Sequence, residues 1–106
     1  MKPGSRDKQY RILITGRELD ELKRFTWNMG EAFGLDRRIE NYQGKRPIGF
    51  YTWDLDCLED VTWLALDDQK KYPGKSGPGY EAMRTLHERI KQLRADAYAD
   101  IREERS

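Results

Sequence analysis

The chain has a single cysteine, a single histidine and no long apolar run. One cysteine excludes an internal disulfide, and Cys57 lies in the most apolar stretch, which marks it as a small core residue rather than a redox centre. A reducing compartment suits that usage. No segment approaches the ~20 apolar residues of a membrane span, and Met1 to Gln9 is polar, unlike a signal peptide, so a cytoplasmic protein without membrane contact is expected. An excess of one charge is also missing. Twenty basic against nineteen acidic residues leave +1, which argues against a general nucleic-acid coat or an anionic-membrane binder. Apolar residues are scarce as well, at 37% against 37% charged. A single domain of 106 residues buries only about 60 to 65% of its unfolded surface, so the core is modest and self-association would relieve it.

What is present is one central apolar stretch, Thr52 to Leu66. Leu55, Leu58, Val61, Thr62 and Ala65 recur at steps of three and four and predict a buried helix, its stripe widened by Trp53, Cys57 and Leu64. Thr52 is expected to cap it, with Asp54 and Asp56 near its positive end. Residues 1–9 read as a mobile arm, and residues 10–106 as one small domain. Alternation from Tyr10 to Thr15 predicts a strand. Thr15 and Glu18 then spell a capping box for a helix whose face, Leu19, Leu22, Phe25, Thr26, Met29 and Phe33, runs to Gly34. A short helical turn is expected from Asp36 to Gln43, and a second strand at Ile48 to Tyr51, paired with the first and leaning antiparallel. Two prolines and three glycines between Tyr72 and Gly79 force a break. Beyond it, Met83, Leu86, Ile90, Leu93, Ala97 and Ile101 form a narrow seam on a long amphipathic helix. The fold class is therefore α+β, mostly helical, with a short two-stranded ribbon and three main helices.

Four groups of residues are candidates for function. Arg37, Arg38, Tyr42, Lys45 and Arg46 make a basic junction suited to phosphate or nucleic acid, through guanidinium forks and a stacking ring. The plainer account pairs Arg37 and Arg38 with Asp36, Glu40 or the acid-rich central helix. Asp56, Asp60 and Asp67 share a helix face, but the paired Glu-x-x-His modules of carboxylate metal sites are missing, so a solvated or Arg-paired stripe is expected and no metal or other cofactor. His87 has no nucleophile beside it in sequence and reads as a residue bordering a helix interface. Most of the aromatic rings should be core, with Trp27 the exception, placed opposite the apolar face of its helix.

These observations point first to a small non-catalytic protein acting through protein contacts, as a self-associating adaptor, modulator or inhibitor. A homodimer or higher oligomer is expected, built on the seam Met83, Leu86, Ile90, Leu93 and Ala97, unless that seam folds back on the central helix. The alternative is a nucleic-acid-binding regulator using residues 37–46. An enzyme ranks behind both.

Overall fold

The computed structural model describes residues 8–30, 32 and 34–105, with the backbone alone for 103–105. Most of the expected arm and Phe33 lie outside these residues. Strand β1 (Tyr10–Ile12) is followed by α1 (Gly16–Lys23), a 3₁₀ turn at Thr26–Asn28, α2 (Leu35–Asn41), strand β2 (Ile48–Phe50), α3 (Thr52–Leu66), a second 3₁₀ turn at Pro73–Lys75 and α4 (Pro78–Arg105). The strands pair antiparallel, with Tyr10 opposite Phe50 and Ile12 opposite Ile48. The fold is thus mostly helical α+β with a two-stranded ribbon.

Helix α3 forms the centre. Leu55 and Leu58 are wholly buried and Val61, Thr62, Ala65 and Cys57 nearly so, as their periodicity predicts. Its start differs from expectation. Tyr51 is the N-cap residue, and the Asp54 carboxylate turns back to accept the Tyr51 backbone N–H at 3.0 Å, while Thr52 is buried. The outward side of α3 carries Trp53, Asp60, Trp63, Leu64 and Asp67, all exposed. Trp53 and Trp63 are therefore not core rings. A helix apolar on nearly every side cannot cover its whole circumference in so small a domain, and the neighbouring helices take the Leu55–Ala65 face.

Helix α1 stops at Lys23, well short of Gly34. Thr26 and Asn28 are weak helix formers, and the Thr26 hydroxyl bonds to the Lys23 carbonyl and the Glu40 carboxylate, which stabilises a 3₁₀ turn there. Leu22, Phe25 and Met29 nonetheless remain buried. Gly34 does take a left-handed conformation, φ +79°, but it opens α2 rather than closing α1, and Asp36 falls in the first turn of α2. Thr15 precedes α1 without a side-chain cap bond, and the Glu18 carboxylate pairs with the guanidinium of Arg89 on α4.

Helix α4 lies across α3 and α1 and gives the molecule its long axis, 47 by 26 by 24 Å. Its end closes over the start of the chain, where Asp100 accepts hydrogen bonds from Lys8 Nζ at 3.0 Å and from the Tyr10 hydroxyl at 3.3 Å. Tyr72, in the break before α4, is buried and donates to the Glu21 carboxylate at 2.6 Å, tying that loop to α1.

Candidate functional site

The seam of α4 is filled by its own chain. Met83, Leu86, Ile90 and Ala97 have no exposed surface and Leu93 is half-buried, because α3 and α1 both present apolar faces to this helix. This corrects the expectation that part of the seam crosses a subunit boundary. The four wholly buried side chains are closed to a second copy.

The basic junction is divided by the fold. Arg38 reaches from α2 to the start of α3, where its Nη1 pairs with the fully buried Asp54 at 2.8 Å, its Nη2 donates to the Gly49 carbonyl, and its guanidinium lies 5.7 Å from the Phe50 ring. Tyr42 is also structural, since its hydroxyl donates to the Arg46 carbonyl and accepts the Ile14 N–H. Only Arg37, Lys45 and Arg46 stand exposed, without a carboxylate partner among the described residues. The plainer account thus holds for Arg38, whose partner is Asp54 of the acid-rich central helix rather than Asp36 or Glu40.

The acidic stripe divides too. Asp56 accepts from Arg94 Nε at 2.6 Å and from the Tyr98 hydroxyl at 3.0 Å, and Glu59 lies 3.2 Å from the same Arg94 nitrogen. Burial, and then the bond to Asp56, push the Tyr98 phenol above its ordinary pKa. Asp67 instead pairs with Lys75 at 3.0 Å, and no three metal-ligating side chains converge among the described residues. His87 is more enclosed than a border position implies. Its Nδ1 is 2.7 Å from the Thr62 hydroxyl and its ring centre 5.8 Å from that of Trp63. As the Thr62 hydroxyl donates its hydrogen to the Leu58 carbonyl at 2.8 Å, His87 Nδ1 is the donor to Thr62.

The feature that stands out is apolar. Trp27 is 71% exposed, Trp63 60% and Leu64 56%, and they form one ridge. Leu64 and Asn28 border two shallow hollows in common, one of about 240 Å³ beside Trp63 and one of about 120 Å³ beside Trp27. A third hollow, of about 150 Å³, lies on the other side of Trp63 against Lys75 and Tyr80. Asp60, Asp67 and Asp68 rim the ridge. The exposure of Trp27 was legible in the sequence, whereas that of Trp63 and Leu64 depended on which side of α3 its neighbours cover. Compared with known proteins, the chain matches no family model, no curated protein and no solved structure.

Proposed function

We propose that the protein is a non-catalytic contact module that self-associates through the Trp27, Trp63 and Leu64 ridge. The carrying observation is that three large apolar side chains share one face with a polar rim, in a chain with little apolar material to spare. Tryptophan is the residue most enriched where binding energy concentrates, and shallow hollows on either side of such a ring accept the matching ring of a two-fold related copy. The surplus apolar surface thus lies on α3 and the first 3₁₀ turn rather than on α4.

Sedimentation equilibrium tests the reading. The wild type should show a concentration-dependent mass above 12.6 kDa, and a Trp27→Ser, Trp63→Ser double variant should sediment as monomer with its helical content intact. A wild-type monomer mass throughout the micromolar range rejects self-association. The second reading, nucleic-acid binding by Arg37, Lys45 and Arg46, rests on those three exposed cations. It requires retardation of a duplex or single strand at low salt that fades steeply as salt is raised.

A further inference from the structure

A groove of about 880 Å³ runs between the first turn of α3 and the last turns of α4, lined by Trp53, Arg94, Tyr98, Ile101 and Arg102 among others. Its size falls in the range of roughly 300 to 1,000 Å³ typical of small-molecule sites. Trp53 is 46% exposed, and Tyr51 stacks on it with ring centres 4.5 Å apart and planes within 13°. Trp53 lines the groove and Tyr51 does not. The indole is thereby held flat, ready for a planar ring to stack upon it.

The opposite wall is a stripe on α4. Arg94, Tyr98 and Arg102 follow one another at steps of four, which puts them on one face, and the Arg94 guanidinium lies 4.9 Å from the Tyr98 ring. Both charged side chains among the residues lining the groove are arginines. Arg94 is already held by Asp56 and Glu59, whereas Arg102 is exposed and has no carboxylate partner among the described residues. Asp56 is in turn satisfied by Arg94 and Tyr98, which blunts its repulsion of an anion. Thr52, the first residue of α3, also lines the groove, so the positive end of that helix adds to the field.

We propose that this groove binds a nucleotide, with the base stacked on Trp53 and the phosphate held by Arg102 beside Arg94. A flat ring and a negative charge within one small molecule are what an exposed indole and an exposed guanidinium recognise together. The site is independent of the Trp27 and Trp63 ridge and does not rest on self-association.

Titration of the full ¹⁵N-labelled chain with adenosine monophosphate tests it through the three indole N–H resonances, assigned with Trp27→Phe and Trp63→Phe. The Trp53 resonance should move saturably while the other two stay in place. Adenosine alone and inorganic phosphate alone should each bind at least about tenfold more weakly. Trp53→Leu and Arg102→Gln should each weaken the nucleotide by about tenfold or more, with unchanged melting temperatures. A trinucleotide with a 5′-phosphate separates the two sources of this chemistry: affinity equal to that of the monophosphate assigns the free nucleotide, and a clear gain assigns a strand end. A Trp53 resonance unmoved at millimolar monophosphate, or unaltered affinity in Arg102→Gln, overturns the proposal.

Discussion

Arg38 and Arg37 are adjacent in sequence and opposite in role. Asp54 is wholly buried, and one of its oxygens, Oδ1, has no hydrogen-bond partner among the described residues, so the carboxylate depends on Arg38 and the Tyr51 N–H at its other oxygen. Arg38→Ala strands that charge and should cost about 2 to 4 kcal/mol, below the full cost of breaking a buried pair because the arginine is about a third exposed. Arg37→Ala should change stability by less than about 0.5 kcal/mol. Urea unfolding of the two variants decides it, and equal losses would contradict the geometry. Tyr72 carries a second residue-scale expectation. Burial, and then its bond to Glu21, raise its pKa well above the ordinary phenol value. The folded state keeps the proton that the unfolded chain gives up near pH ~10, so this stability is complete below that pH and drains away as pH rises further. Tyr72→Phe should be less stable at neutral pH by about 1 to 2 kcal/mol and should lose less stability between neutral and strongly alkaline pH, as followed by melting temperature. A partner on the acid-rich central helix was readable for Arg38, but the choice of Asp54, 16 positions away, was not, nor was the bond of Tyr72 to Glu21 across 51. Local charge patterning offered nearer partners, Asp36 and Glu40, that the fold does not use for Arg38.

At the scale of elements, strong periodicity was reliable and short signals were not. Helices α3 and α4 follow their repeating apolar steps, and the break between them falls within the expected proline and glycine stretch, although α4 already begins at Pro78. The capping box at Thr15 did not form, with Glu18 paired to Arg89 instead, and α1 ended early at the Thr26 turn. Periodicity gave the buried Leu55–Ala65 face of α3 but not the width of its apolar stripe, which stops short of Trp53 and Leu64. The two sides of that helix should respond differently to truncation. Leu58→Ala removes a fully buried side chain and should cost about 2 to 5 kcal/mol, whereas Leu64→Ala should cost well under ~1 kcal/mol. Thermal unfolding of both variants measures the contrast. The reverse order would mean that the helix is rotated and the ridge is core. For the candidate sites this orientation is decisive, since it moves Trp53, Trp63 and Leu64 from the expected interior to the outside and makes both surfaces described above.

For the whole molecule, the hydrogen bond from Tyr10 to Asp100 spans 90 positions. Strand β1 therefore leaves the ribosome long before the helix end that covers it. At ~5 to 20 residues per second the delay is on the order of 5 to 20 s. Until then β1, and once Phe50 is made the ribbon it forms with β2, lacks that cover, and the edges of two short strands remain open to any other extended chain. A nascent chain halted before Asp100 thus carries these strands without that cover, the state in which pairing with another extended chain is easiest.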